Sequence, residues 1–371
     1  MNSIFNPVHI FIGEDTLSQL PSLVQKRKYI VVSSHGFKSR GWSNYCPHAE
    51  YVIDTVSANP TISDLVAHIE TLQNIKCDIL VAIGGGSVLD TAKALSVLSD
   101  VSEKDILEFV EGNEDCTSKR YEVVAIPTTA GTGAEVTPFA TIWDDRNKKK
   151  LSLSSPLIFP KFAIIDPVLT LSLGATMTAI SGLDALSHCF ESLWNKNTTL
   201  YSKSLALVAI DTILETLIRL LDNLNNLEMR MKMGWASLLG GLCISQTKTA
   251  LAHSISYPLT SYLGIPHGLA SGAFLPEILK YNRQHDQTGM MEEMCNKLSV
   301  YKPLDERFDH LYKILDQLNL FQTIKDNQST IYSLVHEMIN PARGLNNIVN
   351  ATYADIQAIL DMYFQKNYNR K

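Results

Sequence analysis

The apolar run Ile79–Ile83 passes directly into Gly84-Gly85-Gly86-Ser87 and then into a helical pattern, Val88–Leu98. Strand, glycine turn and helix in that order bring backbone N–H groups and a helix N-terminus to the end of a strand, where they can meet a phosphate. The spacing is not G-x-G-x-x-G, and one such turn alone could be purely structural. Its surroundings constrain it further. Tyr29–Val32 and Glu122–Ile126 read as buried strands, and Phe162–Ile165 as another, closed by Asp166-Pro167. Between them, Ser63–Asn74 has helical spacing, with Leu65, Ile69 and Leu72 on one side. Strands alternating with helices predict a parallel sheet covered on both faces.

A second loop, Pro127-Thr128-Thr129-Ala130-Gly131-Thr132-Gly133-Ala134-Glu135, also follows a strand. Its hydroxyls and exposed N–H groups suit a diphosphate. Two such loops on neighbouring parallel strands would face one crevice, which makes a dinucleotide the expected ligand. Its contacts would be Gly84, Gly85, Gly86, Ser87, Asp90, Thr128, Thr129, Thr132 and Gly133. Asp90 and Lys93 fall on the first turns of the helix, where they could hold the loop or reach the ligand. Ordinary dinucleotide folds place an acidic residue after the second strand to bind the ribose 2′-OH. Here Val32 leads into Ser33-Ser34-His35-Gly36-Phe37-Lys38-Ser39-Arg40, with no carboxylate. That favours a 2′-phosphate near Ser34, hence NADP(H) over NAD(H), unless Lys38 and Arg40 are simply solvated.

Beyond residue 175 the strand signals nearly vanish. Thr176–Leu193, Tyr201–Leu221, Glu228–Ala250, Ala273–Tyr281, Asp305–Leu318, Ser329–Met338 and Thr352–Tyr363 all suit helices. A boundary at Leu173-Gly174 would divide an α/β dinucleotide-binding domain, residues 1–174, from an all-α metal-binding domain, residues 175–371.

The helical half carries the metal signal. Asp184 and His188 share one helix face. His253 and His267 are spaced as a helix followed by a turn. One carboxylate with three imidazoles suits a borderline divalent ion such as Fe(II) or Zn(II). Glu191 reads as a structural helix residue, and His9, His35, His48, His68, His285, His310 and His336 have no comparable company.

With 45% hydrophobic and 19% charged residues among 371, the chain can bury a sizeable core without staples. A net charge of −6 argues against a nucleic-acid partner, and Lys148-Lys149-Lys150 is short enough to be a solvated turn. Cys46, Cys77, Cys116, Cys189, Cys243 and Cys295 form no C-x-x-C pair, which fits reduced thiols in a cytoplasmic protein. No signal peptide or membrane span is expected. Ser204–Leu221 comes nearest to a span, but Asp211, Glu215 and Arg219 give it a polar face.

The ordered set of motifs resembles the iron-containing (group III) alcohol dehydrogenase family over essentially the whole chain. It runs from Asn6-Pro7 and Phe11-Ile12-Gly13 through Gly84-Gly85-Gly86-Ser87-x-x-Asp90-x-x-Lys93, Thr128–Thr137 and Ile165-Asp166-Pro167 to Gly182-x-Asp184-Ala185-x-x-His188 and the two later histidines. The resemblance implies a dehydroquinate-synthase-like architecture and a homodimer or higher homo-oligomer. It also implies Asp184, His188, His253 and His267 as ligands of Fe(II), with Zn(II) the alternative. Many members read His-x-x-x-His-Pro where this chain reads His253-Ser254-Ile255-Ser256-Tyr257-Pro258, so Tyr257 stands where a proton-relay histidine is usual. A phenol with pKa ~10 is a weak acid near neutrality unless a metal's charge lowers it.

The stretch Ser245–Pro258 is most similar to the branch that reduces phosphonoacetaldehyde. The implied reaction is metal-dependent NAD(P)H reduction of a small aldehyde, phosphonoacetaldehyde giving 2-hydroxyethylphosphonate. Lys248, taken to lie one to two helical turns from His253, would hold the anion. Arg343 could share that role, but nothing in Asn340-Pro341-Ala342-Arg343-Gly344 ties it to the site. The rivals are a sulfoacetaldehyde reductase, a short-chain alcohol, diol or lactaldehyde dehydrogenase, a dehydroquinate-synthase-like lyase, and a non-enzymatic nucleotide-binding protein.

Overall fold

In the computed structural model, residues 3–98, 106–109, 119–147, 149–300 and 302–368 are described. Cys116 and Lys148 lie outside them. The chain divides into two compact units. One comprises Phe5–Thr129 with Gly133–Ser172, the other Leu173–Lys371 with Met1–Ile4 and Ala130–Thr132.

The first unit is built on a six-stranded parallel sheet. Its strands are β1 (His9–Ile12), β2 (Tyr29–Ser33), β3 (Tyr51–Ile53), β4 (Ile79–Gly84), β5 (Glu122–Pro127) and β8 (Phe162–Ile165), in the order β1-β8-β5-β4-β2-β3. Alternate residues of each strand enter opposite cores, as the pleat requires. Ile30, Val32, Leu80, Ala82, Val123 and Ala125 pack with α2 (Ile62–Leu72) and α3 (Gly86–Leu98). Tyr29, Val31, Ile79, Val81, Ile83, Val124 and Ile126 face Leu20 and Val24 of α1 (Leu20–Val24), and Phe37 and Trp42. Cover on both faces is why these strands read as unbroken apolar runs.

The polarity of the connections fixes where a ligand can bind. The chain leaves β2 toward β3 on one side and leaves β4, through α3, toward β5 on the other. The β2/β4 boundary is therefore a topological switch point, and the carboxyl ends of its strands form the crevice that such sheets use for ligands. Two details were not foreseen. Phe139–Asp144 (β6) and Lys149–Ser154 (β7) form a separate antiparallel pair. Lys149 and Lys150 therefore open a strand and are not a solvated turn, their side chains alternating along a hairpin instead.

The second unit is helical. At its centre runs α4 (Ala175–Leu193), buried at every position from Thr178 to Leu193. Around it lie α5 (Leu200–Asp222), α6 (Leu227–Thr247), α7 (Leu251–Leu263) and α8 (His267–Gly272). The rest are α9 (Leu275–His285), α10 (Met290–Leu298), α11 (Leu304–Gln317), α12 (Gln322–Asp326), α13 (Gln328–Ser333), α14 (Pro341–Gly344) and α15 (Tyr353–Tyr368). The expected helix Ser329–Met338 is broken: α13 ends at Ser333 and a 3-10 turn, Val335–Glu337, follows. No helix among the described residues is long and apolar enough to cross a membrane.

Candidate active site

The loop residues of the first unit sit where the switch point needs them. Gly84 and Pro127 are register partners at the ends of β4 and β5, so Gly85–Ser87 and Thr128-Thr129 leave the sheet side by side. The Thr128 N–H donates to the Gly84 carbonyl at 2.9 Å, tying one loop to the other. Ser33 Oγ donates to the Ile83 carbonyl at 2.7 Å, so Ser34 emerges beside the glycine turn. Gly133 takes φ 62°, a left-handed conformation that glycine adopts without strain.

Asp90 and Lys93 serve as a clamp. Lys93 is fully buried, and its Nζ donates to the carbonyls of Ala134 and Phe139, with the Asp90 carboxylate 3.0 Å away. The other Asp90 oxygen accepts from the Thr141 N–H at 2.9 Å. Of the two roles open to them in the sequence, holding the second loop is the one these contacts perform. Downstream of Ser34, the Arg40 guanidinium lies 5.0 Å from the Trp42 ring centroid and donates to the His35 carbonyl, while Lys38 is exposed.

In the helical unit, Asp184 and His188 project from the middle of α4 and His253 from the first turn of α7. Asp184 Oδ1 lies 3.8 Å from Nε2 of both histidines. The three donor atoms fall within 4.8 Å of one another, all buried. A divalent ion with bonds near 2.1 Å in a tetrahedron sets its donors about 3.4 Å apart, a little closer than the 3.8 Å between Asp184 Oδ1 and each imidazole. Burial, then the neighbouring His253, holds His188 below its ordinary pKa against the pull of Asp184, which favours the neutral imidazole that a metal requires. His267 opens α8 and is half-buried. Its ring is 5.0 Å from that of His253, but it does not fall within the tight three-residue group.

Glu191, read from the sequence as a structural helix residue, stands directly behind this group. Its carboxylate is fully buried, takes His253 Nδ1 at 2.5 Å and accepts the His253 N–H at 3.0 Å. Burial alone would raise its pKa; the charge and hydrogen bonds of His253, with the Ala250 N–H, more than reverse that and hold it low. With the proton on Nδ1, His253 Nε2 becomes a lone-pair donor. Nε2 is buried with no hydrogen-bond partner among the described residues, and it points toward Asp184. That orphaned atom is what a metal would satisfy, and a carboxylate behind a ligating imidazole is the usual way to fix its tautomer. The only hint in the sequence was the Glu one turn beyond His188, and nothing local tied it to a histidine 62 positions on.

Ser271 Oγ donates to Asp184 Oδ1 at 3.3 Å, joining α8 to the same carboxylate. Gly268 makes this approach possible. A Cβ there would lie 2.3 Å from the Ile180 carbonyl oxygen and 2.9 Å from Asp184 Cβ. Gly268→Ala is therefore expected to cost about 1–3 kcal/mol by overpacking and to shift His267 off α4. A lower Tm together with a lower metal content after purification checks this.

Tyr257 lies one turn after His253 on α7, its ring 6.3 Å from that of His267. Lys248 departs from expectation. It is not within a helix that reaches His253: it caps α6 with φ 62°, and α7 begins only at Leu251. Its carbonyl accepts from Thr247 Oγ1 and Asn195 Nδ2 and its side chain is exposed, so helical spacing cannot carry it to the site.

The family model for iron-containing alcohol dehydrogenases matches residues 7–167, and the C-terminal model of the same family matches 178–364. A phosphonoacetaldehyde reductase of Streptomyces viridochromogenes is 37% identical over 259 residues, covering 67% of this chain and 65% of that protein. A 1,3-propanediol dehydrogenase of Citrobacter freundii is 32% identical over 231 residues, covering 62% of this chain and 59% of that protein. The chain thus aligns with less than two thirds of the length of these relatives. The crystal structure of sulfoacetaldehyde reductase from Bifidobacterium kashiwanohense in complex with NAD+ matches with a TM-score of 0.88 at 28% identity, over 100% of both chains.

Proposed function

This chain belongs to the iron-containing alcohol dehydrogenase family, and from that premise we propose that it reduces a small aldehyde to a primary alcohol with NAD(P)H. Phosphonoacetaldehyde going to 2-hydroxyethylphosphonate is the reaction it fits best. The observation that carries the chemistry is the orphaned His253 Nε2, aimed at Asp184 and backed by buried Glu191. Asp184, His188 and His253, with His267 as the fourth donor, would hold Fe(II), or Zn(II) in its place. When bound, the metal polarises a carbonyl oxygen as a Lewis acid and the reduced nicotinamide supplies the hydride.

The chain's own residues do the rest. Glu191 fixes the His253 tautomer, and Ser271 steadies the Asp184 carboxylate. Gly84–Ser87 and Thr128-Thr129, with Gly133, are the proposed source of N–H and hydroxyl donors for a diphosphate. Tyr257 Oη accepts from Arg343 Nε, which orients the phenol, and Tyr257 is the proposed proton source for the product alkoxide, with water or a ribose hydroxyl as the alternatives. The balance is aldehyde, NAD(P)H and one proton giving alcohol and NAD(P)+.

The anionic substrate is supported by the likeness to the phosphonoacetaldehyde reductase. The second reading, sulfoacetaldehyde, is supported by the full-length likeness to the sulfoacetaldehyde reductase. After reconstitution with Fe(II) or Zn(II), the protein is expected to oxidise NADPH with phosphonoacetaldehyde at a higher kcat/KM than with propanal. Equal or better turnover of propanal would leave a neutral alcohol or diol dehydrogenase. No nicotinamide oxidation with any aldehyde would favour a lyase.

NADP(H) is the proposed cofactor because no carboxylate follows β2. Ser34→Asp should move the preference toward NADH by about tenfold, roughly the 1.4 kcal/mol of one added repulsion. A wild type that strongly prefers NADH would overturn this reading of the loop.

A further inference from the structure

Sequence leaves Arg343 unattached; the fold attaches it. Its half-buried side chain donates from Nε to Tyr257 Oη at 3.1 Å, across 86 positions of chain. Tyr257 stands one turn beyond His253 on α7, with its ring near His267. The short segment bearing Arg343 is pinned along the same helix. Ser254 Oγ accepts the Asn340 N–H at 2.7 Å and donates to the Met338 carbonyl at 2.7 Å. Asn340 Oδ1 accepts from the Ala342 N–H, and Asn346 Nδ2 donates to the Thr249 carbonyl at 2.8 Å. These contacts at Thr249, Ser254 and Tyr257 bracket His253, so the guanidinium keeps a fixed station relative to it.

We infer that Arg343, held on Tyr257, binds the anionic end of the substrate: a tetrahedral oxyanion, phosphonate or sulfonate, on the carbon next to the aldehyde. This rests on the reading of the metal site as an aldehyde reductase. A guanidinium carries five donors in a rigid fork, and anchoring one on a phenol sets the plane in which the fork meets an oxyanion. One turn of helix rises about 5.4 Å, comparable with a two-carbon aldehyde measured from its carbonyl oxygen to the oxyanion. Lys248 caps the end of α6 with its side chain exposed.

The experiment measures kcat/KM for phosphonoacetaldehyde, sulfoacetaldehyde and propanal in wild type, Arg343→Gln, Arg343→Lys and Lys248→Ala. Metal content and circular dichroism establish that each variant is folded. In Arg343→Gln the ratio of kcat/KM for the anionic aldehydes to that for propanal should fall about ten- to a hundredfold, through KM, the range of one charge-assisted contact. Arg343→Lys should recover part of it. The larger loss marks the cognate anion of the two. Ethylphosphonate, a dead-end probe with no carbonyl, should inhibit wild type competitively and Arg343→Gln far more weakly. An unchanged ratio in Arg343→Gln, or the same loss confined to Lys248→Ala, overturns the inference alone. A wild type that neither prefers an anionic aldehyde nor binds ethylphosphonate overturns the substrate reading with it.

Discussion

Asp184→Asn should strip the metal and reduce turnover by about a thousandfold or more while leaving the fold in place. Asp184 supplies the one charged donor of the group and lies 3.8 Å from both histidine nitrogens. The amide keeps the shape, and its carbonyl oxygen can still accept the Ser271 hydroxyl that reaches Asp184 at 3.3 Å. What is lost is the negative charge facing a divalent ion. Lewis-acid stabilisation is worth several kcal/mol, and ~4 kcal/mol corresponds to about a thousandfold in rate. His267→Ala is the companion variant. His267 is half-buried and stands apart from the tight group of three, so its removal asks whether it completes the set. Metal analysis after dialysis, activity and circular dichroism are the measurements. Full metal content with full activity in either variant would remove that residue from the ligand set.

Glu191→Gln is expected to weaken metal binding by about ten- to a hundredfold, the usual cost of losing a partner behind a ligand. The carboxylate accepts twice from one residue, from the backbone N–H of His253 and from its Nδ1. The two contacts use its two separate oxygens, and an amide has only one. If its oxygen stays on the backbone N–H, its NH2 faces Nδ1 and drives the ring proton to Nε2, the atom the metal needs. If it flips, a buried N–H is left facing a donor. Chelator competition reads the affinity, and 15N chemical shifts of the apo protein read the His253 tautomer. An unchanged tautomer with unchanged affinity would return Glu191 to the role of a structural helix residue.

The sequence by itself determined the class of fold. Unbroken apolar runs at Tyr29–Val32 and Ile79–Ile83 followed by glycine turns mean parallel strands with both faces covered, and the sheet has that form. The loss of strand signals after residue 175 meant helices, and helices follow. Asp184 and His188 were legible as a pair because helical periodicity is a local property: four residues make one turn wherever the helix lies. For the same reason Lys248 was misplaced. Periodicity cannot announce that one helix stops at Thr247, with Lys248 at positive φ, and another starts at Leu251.

Only the tertiary structure decided what meets across the chain. Glu191 finds His253 across 62 positions, and Arg343 finds Tyr257 across 86. Each is a single polar contact fixed by how whole helices pack. Gly268 shows how finely that packing is set, since its missing Cβ lets α8 close on Ile180 and Asp184. A pattern with a period of two or 3.6 residues records which face of an element is buried. It carries no record of which distant element covers that face, because that choice is made by shape and burial summed over the whole core.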